Sequence, residues 1–190
     1  MVLETRGMDA AELLVSYQTG NRNFKRAKLA GLDLSGYNLA DIDLEEANLE
    51  GANLAQANLE GSFLYRANLN HANLKETIFS RAEMWEIDLG QANLKEANLY
   101  MANLKGAYLW KANLAIANLS EAFLKNVNFV QCDLWRANLR EANLSGANLK
   151  GASLKAAALE RAKYNESTLF PEGFEPDSAG MRFVSDMRLV

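Results

Sequence analysis

The 190-residue sequence predicts an all-β solenoid, a rod of stacked coils, on three observations. A large apolar residue, here called the hub, recurs at every fifth position from Phe24, Leu29 and Leu34 to Tyr164 and Leu169. It does so thirty times without insertion or deletion, and twenty-five of the thirty are Leu. The spacer, two residues before each hub, is Ala in twenty pentads, and the middle residue between spacer and hub is Asn in sixteen and Asp in four. A period of five matches neither the 3.6 of an α-helix nor the 2.0 of a strand, either of which would scatter the leucines around its circumference. The chain must therefore turn once per pentad to keep spacers and hubs on one side. Coils closed by such turns have a small polygonal section filled by Leu and Ala, and they stack through backbone hydrogen bonds about 4.8 Å apart.

The beat is purest from Ala92 to Asn118, where Ala-Asn-Leu and two variable residues alternate with one Tyr in place of an Asn. Ala-Asn-Leu-Lys-Glu at Ala92–Glu96 and its neighbours resemble the motif of the pentapeptide-repeat family, and the resemblance covers about Arg22 to Leu169. It implies a right-handed quadrilateral β-helix with four pentads per coil, so that residues twenty apart are stacked. Thirty pentads then make seven and a half coils, a rod of about 36 Å. The segment Phe170–Met181 is similar to the tail that follows the repeats in some cyanobacterial members.

Three regions follow: a capping region over 1–21, the β-helix over 22–169 and a capping tail over 170–190. Met1 to Gly7 carries Glu4 and Arg6 and lacks the apolar core of a secretory signal, which points to the cytoplasm. Met8 to Thr19 predicts a short amphipathic helix. Asp9 is placed to cap it, with Glu12 three residues on as in a capping box, and Gly20 suits a left-handed stop. Leu13, Leu14 and Tyr17 share one face, which would close the open end of the solenoid; the bulky spacers Leu32, Tyr37 and Ile42 are expected to fill the first coils.

Gly takes the last pentad position at Gly31, Gly36, Gly51, Gly61, Gly106, Gly146 and Gly151, where a type II turn needs a positive φ. Charged residues and Gln stand there in other pentads, so mixed turn types are expected. Asn53, Asn73, Asn93 and Asn113 would stack as an amide ladder. After Leu169 the beat stops, and Phe170, Phe174 and Phe183 are expected to fold back over the last coil. With both ends plugged, a monomer is favoured.

Residue inventory argues against catalysis. His71 is the single histidine, on an outward position, and leaves neither a metal set nor a Ser-His pair for Ser80, Ser120 or Ser145. Cys132, the single cysteine, falls on a spacer and reads as a small core residue. The glycines keep the five-residue beat, not the spacing of a phosphate loop. No enzyme, cofactor or metal is expected, and no run is long enough for a membrane span. Between Arg22 and Leu169 seventeen basic residues balance seventeen acidic ones, so direct binding of nucleic acid is not expected. Only four Thr occur, two of them outside the rod, which leaves no flat Thr array for binding ice.

The outward positions carry bulky apolar residues only in the middle coils. Stacking at twenty residues puts Tyr65 over Trp85 with Phe63 beside them, and Trp110 over Val130 with Tyr108 beside them. With Trp135, these make the candidate surface for an unidentified protein partner, because Trp and Tyr commonly anchor interfaces. The plainer alternative is half-buried decoration, with Phe63, Tyr108 and Phe123 as ordinary variation at the middle position. The family resemblance raises a second function, a DNA-mimicking regulator that binds a type II topoisomerase. Against it stand the balanced charge and Lys75, Lys95 and Lys155 along one side.

Overall fold

The computed structural model describes residues 7–185; Glu4 and Arg6 of the leading segment and the last five residues of the tail lie outside the described residues. From Asn23 to Asn143, every middle residue pairs in parallel with the middle residue twenty further on, starting with Asn23↔Asp43 and Lys28↔Asn48 and ending with Asn143↔Lys163. One coil is therefore four pentads. The sides are named here by their hubs: first (Leu44, Leu64, Met84), second (Leu49, Leu69, Leu89), third (Leu54, Leu74, Leu94) and fourth (Leu59, Phe79, Leu99).

Backbone bookkeeping explains the repeat residue by residue. The hub N–H donates to the coil ahead, as Leu29 to the Asn48 carbonyl at 2.7 Å, and the middle N–H donates to the coil behind, as Asn48 to Ala27 at 2.9 Å. The spacer N–H closes the corner on the preceding hub, as Ala27 to Phe24 at 3.1 Å, and the last residue of the pentad reaches the next coil, as Arg26 to Glu45 at 2.8 Å. One N–H per pentad is left, on the residue after the hub. The side chain two residues earlier accepts it: Asn48 Oδ1 from Glu50 at 3.0 Å and Asn58 Oδ1 from Glu60 at 3.0 Å. Asn or Asp at the middle position thus completes the pairing of the backbone.

The corners are uniform, which corrects the expectation of mixed turn types. Every last-position residue from Arg26 to Arg161 has a positive φ, between 52° and 71°, including Glu46, Lys111 and the β-branched Ile116. A left-handed backbone costs a non-glycine residue about 1 kcal/mol or more. The neighbouring coil enforces it, because only this conformation aims the corner N–H at its carbonyl.

Inside, hubs and spacers form one continuous buried column from Leu13 to Met181. At two buried spacers the polar group turns to the hub carbonyl of the preceding coil: Thr77 Oγ1 donates to Leu54 at 2.7 Å, and Cys132 Sγ lies 2.7 Å from the Leu109 oxygen. Burial pushes the Cys132 thiol up to about 12. Ser62 Oγ is buried with no hydrogen-bond partner.

The helix α1 runs Ala10–Gln18. Asp9 and Glu12 form the reciprocal capping box, with Asp9 Oδ1 accepting from the Glu12 N–H at 2.9 Å and Glu12 Oε2 from the Asp9 N–H at 3.0 Å. At its end the Asn21 N–H reaches the Ser16 carbonyl and Gly20 adopts φ 98°, a Schellman stop. Leu13 is buried, Leu14 and Tyr17 pack against the core, and Tyr17 donates to the Ala40 carbonyl at 2.8 Å. Tyr37 departs from expectation. It is 44% exposed, because the first coil has a neighbour on one side only and the phenol finds no partner layer.

The far end differs more. Leu169 is not a hub: it sits in the middle position opposite Asn148, twenty-one residues on instead of twenty, and is 41% exposed. The slip arises at Asn165. Its buried side-chain oxygen, in place of a backbone carbonyl, accepts from the Gly146 N–H at 2.8 Å, and Thr168 Oγ1 donates to the same oxygen at 3.0 Å. That local turn adds one residue and advances Phe170 into the core position, where it packs against Tyr164 edge-on at 5.6 Å and stacks on Phe174 at 5.2 Å. The tail then adds a short strand, β2 (Arg182–Phe183), parallel to β1 (Lys163–Tyr164). Met181 is buried beside it, but Phe183, expected to cover the last coil, is exposed and touches Tyr164 edge-on at 5.5 Å.

Candidate functional site

The four sides spend their middle positions differently. On the third side Asn53 Nδ2 donates to Asp33 at 2.9 Å, Asn73 to Asn53 at 2.9 Å and Asn93 to Asn73 at 3.3 Å, the expected amide ladder. The fourth side has similar rungs from Asn58 to Asn38 and from Asn138 through Asn118 to Asn98. On the first side this pattern is displaced: its middle column reads Asp43, Phe63, Glu83, Asn103, Phe123 and Asn143. Phe63 is 50% exposed and Phe123 55%.

Phe63, Tyr65 and Trp85 come together on that side. Tyr65 and Trp85 stack with ring centroids 3.7 Å apart and planes 25° apart. With Glu45 and Glu83 they line an open groove of about 440 Å³. Arg66 lies 4.8 Å from the Tyr65 ring centre, and its Nε binds Glu86 at 2.7 Å. Partial desolvation raises the Tyr65 pKa, and the hydrogen bond that Arg66 donates to Glu86 raises that of Arg66. The rest of the predicted surface is divided. Tyr108, Trp110 and Val130 lie on the second side, where Lys111 stands 4.5 Å from the Trp110 ring, and Trp135 lies on the third, with Arg136 at 4.6 Å. Seven residues that form one band along the sequence thus face three directions.

Phe123 belongs with the first group although the sequence reading set it aside. It lines a second groove of about 400 Å³ on the same side, with Lys105, Lys125, Asn103 and the corner residue Met101; Glu83 borders both grooves. Its signal was already in the twenty-residue spacing, which puts 63 and 123 in one column.

No group of acidic, His or Cys residues suited to a metal ion occurs among the described residues, and His71 meets Gln91 at 3.3 Å. No helix among them is long and apolar enough to cross a membrane.

The pentapeptide-repeat family model matches 23–61, 47–85, 79–110, 97–136, 117–155 and 128–163. The chain belongs to the pentapeptide-repeat family. Its fold is accordingly the right-handed quadrilateral β-helix, whose sides are described above. Among solved structures, the pentapeptide-repeat protein HetL, described as involved in heterocyst differentiation regulation in the cyanobacterium Nostoc sp. strain PCC 7120, is 30% identical over 83% of this chain and 84% of its own, with a TM-score of 0.33. The alr5209 protein of Nostoc PCC 7120 is 27% identical over 93% of this chain and 96% of its own, TM-score 0.32. A thylakoid-lumen member from Arabidopsis thaliana is 26% identical over 68% and 72%, TM-score 0.47. No curated protein shows significant sequence similarity to the chain.

This pentapeptide-repeat rod is also electrically polarised. The span 22–96 holds eight basic and twelve acidic residues, and 97–169 holds nine basic and five acidic, so a net −4 faces a net +4. The whole-rod balance concealed this. On the first side the first groove is rimmed by Glu45 and Glu83 and the second by Lys105 and Lys125, with Glu83 at their shared border.

Proposed function

We propose that this member is a non-enzymatic interaction module that offers its first side to a protein partner, with Phe63, Tyr65 and Trp85 as anchors. One observation carries the reading. At positions 63 and 123 of one column the Asn or Asp that completes the backbone pairing in most pentads is replaced by an exposed Phe, a substitution that Ile78 and Tyr108 make only singly on the fourth and second sides. Phe63 offers no acceptor to the Tyr65 N–H and no rung to Asp43 below it, so the choice forfeits local stability and produces an apolar surface. A local rule broken in this way marks functional positions. The exposed Tyr108 and the half-buried Trp110, Val130 and Trp135 are secondary to it, since they face other sides. The reading includes a cytoplasmic location.

Mimicry of DNA is the lesser reading. Its support is the acidic half of the rod, whose net charge is −4 over 22–96. That half is about 18 Å long, over which a duplex carries about ten charges. The deficit weighs against it.

The test is capture from native lysate by the wild-type chain and by a Phe63→Asn, Trp85→Ser variant whose folding is verified by circular dichroism. A partner retained by the wild type and lost by the variant supports the reading. Equal capture of a topoisomerase by both would move the weight to mimicry.

A further inference from the structure

We infer that the first side pairs with the first side of a second copy, the two rods antiparallel. This rests on the interaction reading above and names its partner. The argument is one of symmetry and charge. Turning one rod end over end about an axis between the coils of Met84 and Leu104 brings row 64 onto row 124 of the copy and row 84 onto row 104, while each lateral column meets itself. Phe63 then faces Phe123 of the copy, and the two most exposed aromatic residues of the β-helix cover each other. Tyr65 faces Lys125 and Trp85 faces Lys105, so an ammonium lies beside each ring of the stacked pair. Glu45 lies one coil, about 4.8 Å, from the lysine beside Tyr65, and Glu83 is two residues, about 7 Å, across from the lysine beside Trp85. Each acid-rimmed groove therefore receives the lysine-rimmed groove of the other chain, twice, as an isologous contact requires.

The parallel alternative sets every row against itself. Its two-fold axis also exchanges the lateral columns, so Glu45 faces Asp43 of the copy, Phe63 faces Tyr65 instead of Phe123, and the lysines of each of rows 104 and 124 share one row about 7 Å across; acids gather with acids and lysines with lysines, which disfavours it. The capped ends leave the long sides free for this contact. Three rows to each side of the axis give a patch of about 29 by 10 Å, about 300 Å² per protomer, below the about 800 Å² of a stable complex. The pair is thus reversible, with dissociation in the micromolar range or weaker, and salt-sensitive.

The experiment uses two full-length single variants, Phe63→Cys and Phe123→Cys, each checked for folding, under mild oxidation. Cys132 is buried and stays out of the reaction. Mixed chains are expected to link at least ten-fold faster than either variant alone, and faster than an Asn73→Cys control on the third side. Sedimentation of the wild type should show a dimer that weakens at least ten-fold in high salt and on Lys105→Glu, Lys125→Glu substitution. Self-linking of Phe63→Cys faster than the mixed pair would overturn the antiparallel pairing, as would mixed linking no faster than the control. A wild type monomeric to about 1 mM that nevertheless loses a captured partner on Phe63→Asn would sink the self-pairing and leave the broader interaction reading intact.

Discussion

The first and third sides of this rod share a backbone and a core, yet they put the middle position of the pentad to opposite uses. On the third side Asp33, Asn53, Asn73 and Asn93 bind one another in a column while each also accepts a backbone N–H, as Asn53 does from Ala55 at 3.3 Å. On the first side Phe63 and Phe123 do neither and present apolar surface to solvent. The scaffold tolerates both, because bridges between middle residues run twenty apart on both sides. What the difference teaches is that the core sets the shape, and the middle column decides whether a side reinforces the rod or offers it to a partner.

The largest expected effect tests the part common to both sides. Leu94→Asp places a carboxylate in the buried column and should destabilise by about 4 kcal/mol or more, visible as lost far-UV circular dichroism and cooperative melting; an intact melt would contradict the inward placement. Next comes the contrast itself. Asn73→Ala removes two rungs and a backbone cap and should lower stability by about 1–2 kcal/mol. Phe63→Asn restores a cap for Tyr65 and a rung to Asp43 and should raise it by about 1 kcal/mol. Urea denaturation of both variants checks this, and equal losses would break the comparison.

A smaller effect concerns the corners that all sides share. Ile116, β-branched at φ 63°, should gain about 0.5–1 kcal/mol on substitution by Gly, whereas Gly106→Ala, at φ 70°, should lose a similar amount. A calorimetric melt of the two variants shows whether the strain is real. The smallest effect is acid sensitivity of the third side. The Ser35 hydroxyl, then the Ser35 N–H and Asn53, hold Asp33 below its usual pKa. Its folded pKa is lower than its unfolded one, so its contribution is complete above about pH 4 and fades as pH falls through the folded value. Asp33→Asn should flatten that part of the melting-temperature profile; an unchanged profile would show that the exposed column base contributes nothing.

Much of this was legible in the sequence because a five-residue period has one structural solution. The hubs, the Ala spacers, the Asp9–Glu12 cap and the column of Asn53, Asn73 and Asn93 could all be placed from spacing alone. The errors have a common origin in reasoning locally. Residue preference at the last pentad position suggested varied turns, but the carbonyl of the adjacent coil fixes φ at Glu46 and Ile116 as firmly as at Gly51. Leu169 is in phase by count, yet the buried side chain of Asn165 replaces a backbone acceptor and shifts it by one. Phe123 looked like ordinary variation until its column and its lysine neighbours were considered together.

By itself, then, the sequence determined the coil: a strict period with apolar hubs can bury them only by turning at every pentad, and that consequence follows from local contacts. The tertiary structure alone decided which outward residues are neighbours, since residues twenty and sixty apart meet only after coils stack. The separation of acidic and basic grooves on one side, and the handover from repeat to cap at Asn165, belong to that second kind, because each depends on a carbonyl, charge or ring supplied by another coil.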